Sequence, residues 1–249
     1  MTGRRKSPIQ PEDVTPHMCT VDLRLQILGG LPFFAGLSAQ ELQEINKLFR
    51  EQGYAPGQPV YFAGDQATRM FVVAAGKVKL IRHTLSGKDV LLDILTMGEF
   101  FGSLSTLPDD EYPDTAVAQT EVCALTIGKE DFRTILGHYP RVTVKVLDIT
   151  AERLQAAHEM MRQLSAYSAE RRIAHTLLKL GDKLGQAQDV GLLIQVPLSR
   201  DDLAEMTGTT PETASRVISQ FQKDGLIQTG RQWVAITGRE ELEALIQDH

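Results

Sequence analysis

The chain has 249 residues, of which 42% are hydrophobic and 23% charged, and its formal net charge is −6. This length suits two modest domains, because a domain takes roughly 100–200 residues, and the composition is that of an ordinary folded protein. No apolar run approaches the ~20 residues of a membrane-spanning helix, and no apolar segment follows the basic N-terminus as it would in a secretory signal. We therefore expect a cytoplasmic protein with no membrane partner.

Cysteine content and charge narrow the class further. Two cysteines, Cys19 and Cys123, are too few for a disulfide framework, and no CxxC pair suggests structural zinc, so we expect no metal site. Residues 168–249 carry nine Lys/Arg against twelve Asp/Glu. This balance alone argues against nucleic-acid binding, so a DNA-binding function has to rest on local geometry.

The N-terminal segment, residues 1–30, is predicted to be a flexible arm, because three prolines stand among few apolar residues at its start. A short amphipathic helix is predicted to follow Ser38, which can cap it. Its apolar face would consist of Leu42, Ile45 and Leu48.

The sequence pattern of residues 31–137 is typical of a β domain. Short β-rich runs (PVYFAG, RMFVVAAG, KVKLIRH, DVLLDIL, EVCALTI) alternate with glycines, and Gly64, Gly76, Gly87 and Gly98 stand 12, 11 and 11 residues apart. Turns at that interval are typical of an antiparallel roll, sandwich or barrel. We predict a sensor-like β domain here and an α+β fold for the whole chain.

Residues 138–167 are predicted to form a long helix beyond Pro140, followed by a hinge. Apolar or small residues recur along it at alternating spacings of three and four, as in the seam of a coiled coil. A helix of ~25 residues is longer than a small roll can cover, which favours dimerisation over burial within the chain. The predicted dimer interface consists of Leu147, Thr150, Leu154, Ala157, Met161 and Leu164.

Residues 168–249 are predicted to form a winged helix-turn-helix. Ser199 and Asp202 form a capping-box pattern at the start of one helix, and Gly208 suits the tight turn after it. Thr210 can cap the next helix, and Pro211 fits its first position, where no N–H is needed. The segment GLI…WVAIT then reads as a hairpin.

The second of these helices has two faces. Ala214, Val217, Ile218 and Phe221 repeat at three and four residues and are predicted to face the core. The opposite face is polar and suits base edges in the major groove, where an Arg can pair with guanine and a Glu can accept from cytosine. Any surface helix has a polar side, so simple solvation is the alternative. The predicted DNA-binding residues are Ser199, Thr210, Glu212, Thr213, Ser215, Arg216 and Ser219.

From about Leu31 to Leu245 the chain resembles the Crp/Fnr superfamily of bacterial regulators. Gly98-EFFGSLSTL stands where that family has GEFFGELSLL, and Ser199 through Ile227 follows the pattern SRxDLAxxxGxxxETxSRxxxxFxxxGLI. The resemblance implies a cyclic-nucleotide-binding-like β-roll, a long dimerisation helix and a C-terminal winged helix.

The helix that carries Glu212 and Ser215-Arg216 resembles the Fnr branch, which reads TTGA-type half-sites. We therefore expect a homodimeric transcription regulator on a two-fold symmetric site with half-sites about one helical turn apart. The expected partners are double-stranded DNA, a second copy of the chain and RNA polymerase.

In cyclic-nucleotide binders of this family, a Glu holds the ribose hydroxyl and an Arg holds the cyclic phosphate. The resemblance places Ser103 and Asp114 at those positions, and no Arg or Lys lies between Phe101 and Gly128. An Asp would repel a phosphate that needs a charged fork of donors, so we do not expect cAMP. The predicted effector pocket comprises Gly98, Glu99, Phe100, Gly102, Ser103, Leu104, Asp114 and Thr115.

Other cofactors have weaker support. A [4Fe–4S] cluster is not expected, because the Fnr branch needs four cysteines and this chain has two. Cys123 is expected to be a small buried hydrophobe, and Cys19 is either a redox thiol or incidental. Haem stays an unsupported alternative, since no histidine falls between Gly98 and Thr115. A redox signal, a haem-bound gas, another nucleotide or no ligand at all would each be compatible with these residues.

Two other classes of protein were compared with this prediction. An enzyme with a regulatory domain is not expected, because the sequence has no P-loop, GxSxG or HExxH motif. The other class is a winged helix that binds a protein partner instead of DNA, and the acidic net charge keeps this alternative open. A salt titration separates the two, because DNA association weakens steeply as salt rises.

Overall fold

The computed structural model describes residues 8–9, 20–83, 89–104 and 110–247. The chain divides into two compact units: Glu12–Ala157, and His158–His249 with Met1–Pro11. Each unit has its own core. The predicted α+β architecture, with a β-roll, a long helix and a C-terminal winged helix, is confirmed.

The first unit contains two four-stranded antiparallel sheets with helices around one of them. Its strands are β1 (Arg50–Tyr54), β2 (Pro59–Tyr61), β3 (Arg69–Ala75), β4 (Val78–His83), β5 (Asp89–Leu95), β6 (Phe100–Gly102), β7 (Thr115–Ala118) and β8 (Val122–Gly128). One sheet has the order β1-β8-β3-β6, and the other has the order β2-β7-β4-β5. The helices are α1 (Val21–Gly30), α2 (Ala39–Asn46) and α3 (Lys129–His138), with a 3-10 turn at Pro32–Phe34.

Strand β3 is apolar from Met70 to Ala75 because both of its faces are buried there. Met70 and Val72 pack in a core with the helices, whereas Phe71 and Val73 pack in a second core between the two sheets. Successive side chains of a strand point to opposite faces, so a strand between two cores loses the polar alternation of a surface strand. Cys123 of β8 is 2% exposed in the helix-side core, as predicted for a small hydrophobe.

Helix α1 corrects the prediction of a flexible arm for residues 21–30, whereas residues 1–7 and 10–19 of the predicted arm lie outside the described residues. Thr20 caps the helix by accepting from the Leu23 amide, and Ile27 and Leu28 are buried in the helix-side core. The Arg24 guanidinium donates to the Asn46 and Phe49 carbonyls at 3.1 and 2.9 Å. This short apolar segment is therefore ordered by tertiary contacts. The prolines on which the arm prediction depends lie N-terminal to it, and Cys19 lies outside the described residues.

Helix α4 (Pro140–Ala166) is a single helix of 27 residues, in agreement with the predicted long helix. Val142 and Ile149, on one side of its first half, are buried in the helix-side core of the first unit. The residues predicted to form the dimer seam lie on a different side.

The second unit is a winged helix-turn-helix. Its helices are α5 (Ala169–Leu184), α6 (Arg200–Thr207), α7 (Pro211–Lys223) and α8 (Arg239–Ile246), and its strands are β9 (Gly185–Gln188), β10 (Gly191–Ile194), β11 (Ile227–Gly230) and β12 (Trp233–Ile236). The sheet has the order β11-β12-β10-β9, with all neighbours antiparallel. The helices bury a shared core against this sheet, which fixes α6 and α7 relative to the wing.

Candidate functional site

The helix-turn-helix forms as its local sequence predicts. Ser199 and Asp202 make both halves of a capping box, with the Ser199 amide donating to the Asp202 carboxylate at 2.8 Å and the Asp202 amide to the Ser199 hydroxyl at 3.0 Å. Gly208 ends α6 in the left-handed region, with φ +58°, where glycine has no steric cost. Thr210 caps α7 by accepting from the Thr213 amide at 3.2 Å, ahead of Pro211. Three helix ends, the start and end of α6 and the start of α7, are thus defined within a dozen residues.

Helix α7 separates its faces as predicted. Ala214, Val217, Ile218 and Phe221 are buried, while the opposite side exposes polar groups. Glu212, Arg216 and Ser219 are exposed, and Thr213 and Ser215 are partly exposed. The buried face anchors the helix, so its polar face is presented on a rigid element.

Several of the predicted DNA-binding hydroxyls have structural roles within the domain. The Ser199 and Thr210 side chains make the caps described above. The Ser219 hydroxyl donates to the Ser215 carbonyl at 2.8 Å, one turn earlier in α7. Glu212 and Arg216 are exposed on the same face of α7, with Ser215 partly exposed beside them.

Two arginines near or in the wing, Arg200 and Arg231, were not among the residues singled out from the sequence. Arg200 donates to the Thr229 hydroxyl at 3.0 Å and so ties α6 to β11. Its burial lowers its pKa. Arg231 is exposed at the tip of the wing, between β11 and β12, beside Gln232, which has a positive φ of 62°. A cation at the tip of a wing is placed to contact a phosphate backbone.

The predicted dimer seam lies on the exposed side of α4. Leu147 is 68% exposed and Leu164 48%, and all six predicted residues lie within the described helix. Exposed Val144 lies three residues before Leu147 on the same helix. Leu147, Leu154 and Met161 are more than half exposed in the single chain, so most of the seam does not pack intramolecularly, although Leu164 also lies against Gly208. A stripe of large apolar side chains along one helix marks an interaction surface.

A pocket of about 490 Å³ opens in the β-roll, beside the segment predicted to hold the effector. Of the predicted residues, five contribute to its lining: Gly98, Glu99, Phe100, Gly102 and Asp114. The other three have different roles. The Ser103 hydroxyl is hydrogen-bonded to the Asp110 carboxylate, Leu104 packs against the helix-side core, and the buried Thr115 hydroxyl accepts from the Ala63 amide at 3.0 Å.

Arg153 of α4 also lines this pocket, although it lies far along the chain from the rest. Its guanidinium carbon lies 4.1 Å from the centre of the Phe100 ring, and its Nη2 donates to the Phe100 carbonyl at 3.2 Å. Among the lining residues that the structure describes, the carboxylates are Asp93, Glu99 and Asp114. One arginine thus faces three acidic groups, and the pocket is acidic on balance.

Asp114 is held by Tyr61, whose hydroxyl donates to its Oδ1 at 3.0 Å. Burial raises the pKa of Asp114. Burial, together with the neighbouring Asp114 carboxylate, also raises the pKa of Tyr61. A carboxyl whose folded pKa is raised stabilises the folded protein while it is protonated. That contribution to the free energy of unfolding is lost as pH rises from the unfolded pKa of about 3.9 through the folded pKa. Above that window, the ionised form carries the full desolvation cost.

We therefore expect Asp114→Asn to raise the Tm by about 1–3 °C at pH 7, because the amide oxygen still accepts from Tyr61 and only a partly solvated carboxyl is neutralised. Thermal melts from pH 4 to pH 8 check this, and the gain should shrink toward pH 4. Glu111→Gln, at an exposed neighbouring carboxyl, is the control and should change little. A lower Tm for Asp114→Asn at pH 7, or a gain that grows on acidification, contradicts this account.

Metal-binding groups and membrane-spanning helices are both absent from the described residues. They contain no group of three or more His, Cys, Asp or Glu arranged to hold a metal ion. Within the same residues, no helix is both long and apolar enough to cross a bilayer.

The fold and the helix-turn-helix together define a DNA-binding regulator with a β-roll domain, and comparison with known proteins agrees. Residues 51–139 match the family model of the cyclic nucleotide-binding domain, and residues 171–245 match that of the Crp-like helix-turn-helix domain. The "Cyclic AMP receptor protein" of Thermus thermophilus is 32% identical over 87% of this chain and 97% of its own length. The "Probable transcriptional regulator flp" of Lacticaseibacillus casei is 31% identical over 91% and 97%. The structure of FixK2 from Bradyrhizobium japonicum shares the fold, with a TM-score of 0.71 at 23% identity over 81% of this chain and 98% of that one.

The chain belongs to the Crp/Fnr superfamily and is a DNA-binding transcription regulator of that type.

Proposed function

We propose that the protein binds, as a homodimer, a two-fold symmetric DNA site with TTGA-type half-sites, and that α7 reads the bases. The observation that carries this proposal is the geometry of α7. It is capped at Thr210, anchored by a buried apolar face, and presents Glu212 and Arg216 outward. An Arg can form two hydrogen bonds with a guanine, and a Glu can accept from a cytosine amino group, so this pair suits direct readout.

The exposed seam of α4 supports the homodimer. Its large side chains, including Leu147, Leu154 and Met161, are more than half exposed in the single chain. Pairing with the same stripe of a second copy removes this apolar surface from water. A two-fold dimer then presents two copies of α7, which requires half-sites one helical turn, roughly 34–36 Å, apart.

The site preference is tested by equilibrium binding to a duplex with inverted TTGA half-sites and to a scrambled duplex of the same length. At one fixed salt concentration we expect the symmetric duplex to bind at least about 100-fold more tightly. Equal affinities contradict the proposed reading. If binding to either duplex is insensitive to salt, the winged helix does not bind DNA in the proposed manner.

The sensor pocket is proposed to take an effector other than cAMP. The name of the Thermus thermophilus relative makes cAMP the ligand to test. In this chain the pocket lining contributes Asp93, Glu99 and Asp114, and its arginine, Arg153, is already placed over Phe100. A cyclic phosphate would bring a further negative charge toward these carboxylates, with no second lining cation among the described residues to receive it.

We therefore expect no heat of binding and no change in Tm when millimolar cAMP is added to the purified protein. A ligand at 100 times its Kd would stabilise the native state by about 2.7 kcal/mol, which a thermal melt detects easily. The Thermus thermophilus relative, measured in the same way, is the comparison. A shift of several degrees in this protein's Tm contradicts the proposal. An absorption spectrum of protein purified without oxygen separately tests for haem or an iron–sulfur cluster.

A further inference from the structure

Arg172, in the first turn of α5, is a half-buried residue that bonds three backbone carbonyls at once. Its Nε donates to the Thr207 carbonyl at 2.7 Å, its Nη1 to the Tyr167 carbonyl at 2.7 Å, and its Nη2 to the Gly208 carbonyl at 3.4 Å. Two of these carbonyls belong to the turn between α6 and α7, and the third belongs to the junction between α4 and α5.

The turn between α6 and α7 is closed by two backbone hydrogen bonds. The amides of Gly208 and Thr209 both donate to the Ala204 carbonyl, which closes the end of α6. The last carbonyls of a helix lack partners within the helix, so those of Thr207 and Gly208 need an outside donor. The Arg172 guanidinium supplies it.

The junction between α4 and α5 is itself well defined. The ring of Tyr167 lies against the guanidiniums of Arg171 and Arg162, at 3.9 and 5.3 Å from ring centre to guanidinium carbon. Leu164 at the end of α4 also reaches the turn, because a Cβ added to Gly208 would stand 3.0 Å from the Leu164 Cδ2 atom. The junction and the turn thus lie against each other, and Arg172 bonds both.

We propose that Arg172 is a positioning residue for DNA reading, which fixes the α6–α7 turn to the α4–α5 junction and thereby sets the orientation of α7. The inference depends on the proposed function, since α7 is the reading helix only there. Thr210 and Pro211 begin α7 two residues after the clamped turn, so a shift of the turn is passed directly to Glu212 and Arg216. The planar guanidinium presents five donors in a fixed fork, whereas the ammonium of a lysine cannot span three carbonyls.

The test compares Arg172→Met with Arg171→Met in the full-length protein. Arg171 is the matched control because it is adjacent and also contacts the Tyr167 ring, while its guanidinium donates to the Ile246 carbonyl at the end of α8. For Arg172→Met we expect affinity for the symmetric duplex to fall about 10-fold or more, while affinity for the scrambled duplex stays within about 2-fold, because base readout needs the orientation of α7 and phosphate attraction does not. Arg172→Lys should show the same selective loss and is the variant to use if the methionine variant does not fold.

A second readout needs no DNA. Amide hydrogen exchange of Thr209 and Thr213 should be about 10-fold faster in Arg172→Met than in Arg171→Met. Unchanged exchange together with unchanged discrimination overturns the inference, and so does an equal loss on both duplexes, which would make Arg172 a phosphate contact. If the unsubstituted protein does not distinguish the two duplexes, the proposed function fails. The exchange result then still decides whether Arg172 holds the turn.

Discussion

Replacement of Arg216 by alanine is expected to lower affinity for the symmetric duplex about 10- to 100-fold. Arg216 is exposed on α7 opposite the buried face. A bidentate Arg–guanine pair contributes about 1–3 kcal/mol of discrimination, and alanine removes both hydrogen bonds. Binding to the scrambled duplex should fall far less, since it depends on the sum of phosphate contacts. Fluorescence anisotropy with both duplexes at several salt concentrations measures the two effects separately.

Arg231→Ala is the matched control for Arg216→Ala. This variant also removes one exposed guanidinium, but from the tip of the wing, where no base-reading helix lies. Its loss should change affinity for both duplexes by the same factor and reduce the salt slope by about one at most. If Arg216→Ala binds the symmetric duplex as tightly as the unsubstituted protein, the assignment of the reading face is wrong.

Replacement of Leu154 by glutamate is expected to convert the dimer to a monomer at micromolar concentration. Leu154 is 57% exposed in the single chain, in the middle of the proposed seam. In a two-fold pairing the new carboxylates of the two copies would be buried near each other without partners, at a cost of several kcal/mol. A monomer reaches one half-site, so affinity for the symmetric duplex should fall at least about 100-fold. Analytical ultracentrifugation and anisotropy measure these two losses on the same preparation.

The matched control is Glu152→Ala, on the same helix. Glu152 is exposed and lies two residues from Thr150, which places it about 200° around the helix from the seam. The dimer and its DNA affinity should persist in this variant. A Leu154→Glu protein that remains dimeric would contradict the assignment of the interface to α4.

The helix-turn-helix could be predicted from sequence because its determinants are local. The Ser199–Asp202 box, the left-handed Gly208 and the Thr210 cap each involve residues no more than three apart. The two faces of α7 follow from helix periodicity alone. The five β-rich runs of the sequence form β2, β3, β4, β5 and β8. They could be predicted because each run is long or apolar enough to indicate a strand without knowledge of its partners.

The missed elements were short, or took their order from contacts distant in sequence. Strands β6 and β7 have three and four residues, and β1 (REQGY) has little apolar content and lies at the edge of its sheet, beside β8. Helix α1 has no clear apolar stripe, and it is held by the core beneath it and by the hydrogen bonds of Arg24 to α2 and the residues after it. Propensity is a weak guide where tertiary packing decides.

The pocket in the β-roll and the contacts of Arg172 show that the candidate sites, too, could be predicted only in part from the sequence. The absence of Arg and Lys between Phe101 and Gly128 is a fact of the sequence, yet the structure brings Arg153 to the pocket from α4. Arg172 reads as one more charged residue on an amphipathic helix, and only the fold shows that it meets the carbonyls of Thr207 and Tyr167. Residues that act on distant parts of the chain leave no local signal.

The central claim, that a symmetric dimer reads DNA through α7, is tested most directly by selection from a random duplex library. The unsubstituted protein is incubated with the library at physiological salt, and the retained duplexes are sequenced. The account predicts enrichment of an inverted repeat whose TTGA-type half-sites lie about one helical turn apart, and loss of that enrichment in Arg216→Ala. Enrichment of an asymmetric motif, or of no motif at all, would contradict it.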